Sequence, residues 1–154
     1  MLSAEERCRG YRNALRRARL PHDPDLIVFG EYASGHAIES FERLRALANP
    51  PTAFFITSDS MAIEVVKHAR SLNLSVPNDF SIVGFDDIPL ASLLDPPLTT
   101  VRQSTKMFGQ IAVCMLLELL HKKRPRIRTE RVPVELCVRN SVGRPPRLKF
   151  RRHS

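Results

Sequence analysis

At 154 residues, with 43% hydrophobic and 26% charged, the chain is long enough for one domain with a real core and too apolar for disorder. No apolar run approaches the roughly 18 residues of a membrane span, and the opening MLSAEERCRG lacks the apolar centre of a signal peptide, which suggests a cytoplasmic protein. The net charge of +8 is lopsided: residues 122–154 hold 12 Lys/Arg against 2 Asp/Glu, and residues 1–121 hold 12 against 14, so the body of the chain is not a basic DNA-binding surface.

In chain order, residues 3–19 predict a helix, with Tyr11, Leu15 and Ala18 on one face and arginines on another, ended by Pro21 and Pro24. Asp25–Phe29 (DLIVF) reads as a strand buried on both faces. Residues 35–48 predict a second helix, with Ile38, Phe41, Leu44, Leu47 and Ala48 at helical spacing, stopped by Asn49-Pro50-Pro51. Thr52–Ile56 is the next strand, and residues 59–72 a helix with Met61, Ala62, Val65, Val66 and Ala69 inward and a stop signal at Asn73. Phe80–Phe85 is a further strand.

The proline-rich Ile88–Leu98 reads as a loop and Thr99–Arg102 as a short extended crossing. Residues 104–121 form a strongly amphipathic helix, with Phe108, Ile111, Ala112, Met115, Leu116 and Leu119 on its stripe. Arg131–Val138 reads as one or two closing strands. GRPPRLKFRRHS (143–154) carries much of the basic excess and reads as a solvated, flexible tail able at most to attract phosphate weakly. Cys8, Cys114 and Cys137 lack C-x-x-C spacing and are expected as buried, reduced thiols rather than a disulfide framework or zinc site.

This alternation predicts an α/β fold: a parallel sheet flanked by helices. Ligands of such sheets bind beyond the carboxyl ends of the strands. That rule singles out Gly30-Glu31-Tyr32, Thr57-Ser58-Asp59 and Asp86-Asp87. Adjacent carboxylates on extended chain point to opposite faces, so Asp86 and Asp87 do not suit a shared-proton dyad. One facing a cleft would accept hydrogen bonds from vicinal hydroxyls; equally, one or both could serve to cap a loop. Ser58 reads as a helix N-cap rather than a nucleophile, with no G-x-S-x-G elbow and no triad order among the histidines. Arg7 and Arg9 are either ligand-reaching or solvated, and Tyr32 could stack on a sugar face or close the lip of a pocket. No phosphate loop or metal constellation is present, and no cofactor is expected.

SDSMA (58–62), VPNDFSIVGFDD (76–87), PPLTTVRQ (96–103), RCRGY (7–11) and LCVRNS (136–141), in that order, resemble the motifs of the LacI/GalR family of bacterial transcription regulators. The resemblance covers about residues 3–141. It implies a periplasmic-binding-protein-like (type I) fold, in which two α/β subdomains close around a sugar or nucleobase effector. It also implies a homodimer and operator reading by a separate N-terminal helix-turn-helix domain, absent here, with no membrane partner. By motif position Asp86 resembles the carboxylate that holds ligand hydroxyls, Arg7 the arginine that reaches into the cleft, and Tyr32 the covering aromatic. Ser58 stands where the family usually has Asn, keeping a hydroxyl but losing a paired donor and acceptor. Ser3 and Thr105 occupy further candidate ligand positions. Ile63 and Leu94 fall where the family buries apolar side chains between subunits.

Under this resemblance residues 1–98 correspond to the C-subdomain without its first β-α-β, 99–130 to a crossover and helix of the N-subdomain, 131–141 to closing strand or strands, and 142–154 to a tail. The expectation is an N-terminally truncated effector-binding part whose 104–121 stripe is left exposed. Alternatives are a truncated product with no independent function, a solute-binding protein of a transporter, and a small α/β enzyme. The missing signal peptide weighs against the transporter protein, and the lack of a nucleophile–base pair against the enzyme.

Overall fold

The computed structural model describes residues 2–29, 35–121 and 128–145. The elements are α1 (Leu2–Arg17), a 3-10 turn (Pro24–Leu26), α2 (His36–Arg45), β1 (Ala53–Phe55), α3 (Asp59–Ser71), β2 (Ser81–Asp86), α4 (Pro89–Leu93), β3 (Thr99–Gln103), α5 (Thr105–His121) and β4 (Val134–Cys137). The strands form one sheet in the order β1-β2-β3-β4. β1, β2 and β3 run parallel, while β4 lies antiparallel to β3 with Thr100 opposite Cys137. The sheet is thus mixed: the parallel part expected from the alternation, plus one reversed strand.

Two helix ends show why these segments stop where they do. Arg19 adopts φ 55° and Asn73 φ 57°. The next residue's N–H reaches back in each case: Leu20 donates to Leu15 O at 2.9 Å, and Leu74 to Ala69 O at 2.9 Å. A left-handed residue just past the helix satisfies carbonyls that would otherwise be orphaned.

The core lies on one face of the sheet. Ala62, Val65, Val66 and Ala69 of α3 pack there, fully or nearly fully buried, with Phe41 of α2, Phe54, Phe80, Ile82 and Leu98. Phe41, Phe54 and Phe80 form a ring cluster with centroids 5.0–5.4 Å apart. The inward residues predicted for α3 are those that pack; of those predicted for α2, Phe41 and Leu44 pack, while α2 ends at Arg45, leaving Leu47 and Ala48 beyond it with Ala48 exposed, and Ala37 is buried instead.

Three expectations are corrected. Asp25–Phe29 is not a strand. Asp23 caps a 3-10 turn by accepting from Asp25 N at 2.9 Å, with Pro24 at its first position, and residues 27–29 join no sheet. Strand propensity is realised only when a partner edge supplies the ladder bonds, and among the described residues none pairs with this segment. Ile88–Leu98 is not all loop: Pro89 starts the short helix α4, as proline suits a first helical turn. The cysteines are free, but Cys114 is exposed and Cys8 and Cys137 are half-buried rather than buried.

The apolar stripe of α5 is open, as expected. None of its residues is buried, with Phe108 65% and Leu120 71% exposed, and Leu136 and Val138 stand similarly open. Contiguous exposed apolar surface of this kind associates with itself or with amphiphiles. An environment-sensitive apolar dye will therefore bind the chain with enhanced emission, and the double variant Phe108→Lys, Leu120→Lys will lose most of that signal without lowering Tm. Equal dye emission from the variant would show that α5 is covered in solution.

Candidate functional site

The polar residues singled out from the sequence come from the carboxyl ends of β1, β2 and β3. β1 pairs with β2 up to Phe55 opposite Val83, and Ile56 N–H still donates to Val83 O at 2.8 Å. Ser58 therefore leaves the sheet at the end where Asp86 closes β2. It occupies the N-cap position of α3, as read from the sequence, yet its hydroxyl makes no capping bond and stays half-buried.

Asp86 is half-buried, and its Oδ1 accepts from Gln103 Nε2 at 2.6 Å. Arg7 reaches the same corner from α1. Its guanidinium stacks on the Phe85 ring, 3.8 Å from the centroid, and donates to Thr57 O at 2.8 Å. Loss of hydration pushes the Asp86 carboxyl above the usual Asp value. The nearby Arg7 charge and the Gln103 bond pull it down, while the Asp59 charge adds to the rise. The residue also sits at φ 118°, a region non-glycine residues rarely adopt. A half-desolvated carboxylate with one oxygen already bonded is short of donors, and ligand hydroxyls would supply them.

Asp87, one residue past β2 and at φ 55°, meets a different set of partners. It accepts from Arg139 Nη2 at 2.6 Å and from Arg102 Nε at 2.6 Å. Those contacts hold its carboxyl below the ordinary value, against the cost of burial. Arg139 also donates to Leu98 O at 2.7 Å, so the pair clamps β2 to β3 and to the chain beyond β4. Of the two readings for this carboxylate pair, Asp87 fits the loop-holding one. A lowered folded-state pKa contributes stability that is present above the unfolded value near 3.8 and lost as pH falls through the folded one. Asp87→Asn should therefore lower stability by about 2–3 kcal/mol at neutral pH, the scale of lost charge-assisted bonds. The deficit will shrink in acid, as urea titrations at pH 7 and pH 3 would register.

Asp59 is fully buried behind the site. It accepts from Thr100 Oγ1 at 2.6 Å and from Ile88 N at 3.0 Å, joining α3 to β3 and to the loop after Asp87. Ser141 is a second buried staple, donating to Ile82 O at 2.7 Å and accepting from Thr99 N at 2.8 Å.

Other sequence-derived candidates are placed less tightly. Tyr32 lies outside the described residues, as does most of the basic tail. Ser3 is on the first turn of α1, with its side chain outside the described residues. Thr105 opens α5, exposed, two residues past Gln103. Ile63 is half-buried on α3, and Leu94 packs partly against the core. Sequence reasoning missed Gln103 and Phe85. The signal for Gln103 was available, since it ends a strand beside the one that ends in Asp86.

A cavity of about 290 Å³ lies in a different place. It touches Arg7, Ser40 and Thr57 and is walled mostly by apolar side chains of α1, residues 26–29, α2 and β1, and Asp86, Ser58 and Gln103 do not line it. Among the described residues no His/Cys/Asp/Glu cluster is placed to hold a metal.

The profile of the periplasmic binding protein-like domain matches residues 2–142. The chain is 33% identical over 141 residues to the HTH-type transcriptional repressor PurR of Vibrio parahaemolyticus, an alignment covering 92% of this chain and 42% of that protein. The chain thus spans well under half the length of this relative. Its structure resembles that of a putative LacI transcriptional regulator from Bacillus cereus (TM-score 0.85, 25% identity, covering 91% of this chain and 50% of the other). It also resembles that of a LacI family regulator from Enterococcus faecium with bound ribose (TM-score 0.79, 26% identity, 92% and 52%). These relatives are named as transcriptional regulators. The chain belongs to the periplasmic binding protein-like family, in the form carried by the effector-binding domains of LacI-type transcriptional regulators.

Proposed function

We propose that the carboxyl end of this sheet binds a small hydroxylated effector, sugar-like in chemistry. The observation that carries the reading is Asp86, half-desolvated, fixed through one oxygen by Gln103 and flanked by Arg7. Asp86 accepts from effector hydroxyls, Arg7 donates to ring or hydroxyl oxygens, and the uncommitted Ser58 hydroxyl does either. On motif position alone, Tyr32, Ser3 and Thr105 are further candidates for ligand contact. The Enterococcus faecium neighbour with ribose bound supports the ligand class.

In the whole regulator, effector occupancy biases a two-state domain and so changes DNA affinity at a separate domain. The dimer forms through the surface carrying Ile63 and Leu94, and the protein works in the cytoplasm.

Thermal denaturation against a panel of pentoses, hexoses, disaccharides and nucleosides tests the reading. At least one will raise Tm, a ligand at 100 times its Kd adding about 2.7 kcal/mol. The affinity will fall as pH drops through the raised Asp86 pKa, because the protonated carboxyl accepts less well. A second reading, that these residues alone hold no effector, is favoured by one observation: α5 buries none of its apolar side chains, so the elements here pack on one side only. No shift with any panel member, together with an unchanged Asp86→Asn profile, would select it.

A further inference from the structure

We infer that Arg139 is a positioning residue for the effector site. It holds Asp87, and through Asp87 it keeps the Asp86 backbone in the strained conformation that aims the Asp86 carboxylate at Gln103. The inference rests on the effector reading given above, and it assigns a role to a side chain whose own bonds go to Asp87 and Leu98.

Two successive non-glycine residues carry positive φ here, Asp86 at 118° and Asp87 at 55°. The second lies in the left-handed region that aspartate tolerates, and the first lies outside it. Such backbone persists only where the surroundings over-determine it, and it gathers at binding sites. β2 and β3 are still paired at this point, with Asp86 opposite Arg102. Two residues later the Ile88 N–H is fixed on the buried Asp59 carboxylate at 3.0 Å. The path between those anchors is set at Asp87.

The two oxygens of Asp87 are taken by different guanidinium groups: Oδ1 by Arg139 Nη2 and Oδ2 by Arg102 Nε, each at 2.6 Å. The two holders are unequal. The Arg102 side chain is 50% exposed and that of Arg139 19%. Exposed ion pairs contribute little, whereas desolvated charge-assisted bonds are strong. Arg139 is also anchored along its length: Nη1 donates to Leu98 O at 2.7 Å, and its backbone N–H to Thr99 Oγ1 at 2.9 Å. Arg139 thus ties residue 87 to the start of β3, while Gln103 ties residue 86 to its end. Without Arg139, Asp87 keeps one half-exposed partner, the turn relaxes, and Asp86 returns to negative φ. That rotation carries its side chain off Gln103.

The test uses the full chain, isotopically labelled and without ligand. In the wild type the three-bond HN–Hα coupling of Asp86 will be small, as a φ near 118° requires, and the Gln103 side-chain amide will exchange slowly. Arg139→Gln will at least double that coupling and speed the Gln103 exchange severalfold. It will also bring the Asp86 titration down toward the ordinary aspartate value, as the carboxyl regains the water whose loss raised it. Arg139→Lys keeps the charge but not the fork that bridges Asp87 and Leu98 O, and it will move the same signals the same way by less. If Arg139→Gln fails to fold, Arg139→Lys carries the test. Ser141→Ala is the structural control. It breaks the bonds to Ile82 O and Thr99 N, loosening β2 and β3 beside Arg139 without touching Asp87. It will lower Tm and leave all three signals unchanged.

Unchanged coupling and Gln103 exchange in the Arg139 variants would overturn the proposal. So would an equal response to Ser141→Ala, which would show general loosening. Ribose titration separates this role from the effector reading. A wild type that binds ribose will bind it about tenfold more tightly than Arg139→Gln does. Equal affinity beside altered Asp86 signals would break the link between the strained backbone and the site. Ribose that binds neither protein would count against the effector reading alone, and the ligand-free signals would still decide what Arg139 does.

Discussion

Asp59→Ala will lower the stability of the fold by about 4 kcal/mol, with a large drop in Tm. The Asp59 carboxylate is completely buried, and two groups depend on it: the Thr100 hydroxyl at 2.6 Å, itself fully buried, and the Ile88 N–H at 3.0 Å. Truncation leaves the buried Thr100 hydroxyl without a partner and takes the acceptor from the half-buried Ile88 N–H. Each unsatisfied buried group costs about 1–3 kcal/mol, and the space left by the carboxylate adds to that. A loss of about 4 kcal/mol is a large share of the about 5–15 kcal/mol that holds a typical domain together.

Gly84→Ala attacks the same junction from the other side. A methyl group there would run into the Asp59 carboxylate and come within 2.9 Å of Leu98 Cδ2, at a point where α3 packs directly on β2. Neither neighbour can yield, because both are buried and Asp59 is bonded twice. Circular dichroism melts of the two single variants should both show large drops in Tm, and the double variant should fall well short of their sum, since both disrupt one contact. Full additivity would show that Gly84 and Asp59 act on separate parts of the structure.

Asp86→Asn will have the opposite signature: lost effector binding with stability kept or slightly raised. The amide preserves the shape and can still accept from Gln103 through its oxygen. What disappears is the charge. In the free chain that charge is disfavoured by desolvation, since the pKa is raised, so an ionised Asp86 weakens the fold at neutral pH and a neutral group removes the penalty. Asparagine also tolerates the positive φ of 118° better than alanine would. In the complex the charge is what effector hydroxyls bond to. Charge-assisted bonds are worth about 1.5–3 kcal/mol each, so affinity should fall about ten- to a hundredfold or more. Calorimetric titration beside a melting curve separates the two effects. A variant that loses stability and keeps affinity would remove Asp86 from the binding site. Arg7→Lys should fall between: the charge remains, but the planar stack on Phe85 and the reach to Thr57 O are lost.

Sequence pattern alone was enough for α2, α3 and β2, because their apolar residues recur at the period of the element and have a sheet to bury against. It also singled out Asp86 and Asp87 at the end of a strand, but not the positive φ angles, 118° and 55°, that the two adopt there. What each carboxylate does with its face was beyond it. Asp87 became a clamp because Arg102 and Arg139, far apart in sequence, donate to it, while Asp86 accepts from the neutral Gln103 with the Arg7 charge nearby. DLIVF (25–29) shows the converse. Its composition suits a strand, but a strand exists only through a neighbour's backbone, and a groove separates this segment from β1. Local chemistry sets the period of a segment and the direction of its side chains. Pairing, burial and charge depend on which distant residues the fold brings within a few ångströms, and that was settled only by the tertiary structure.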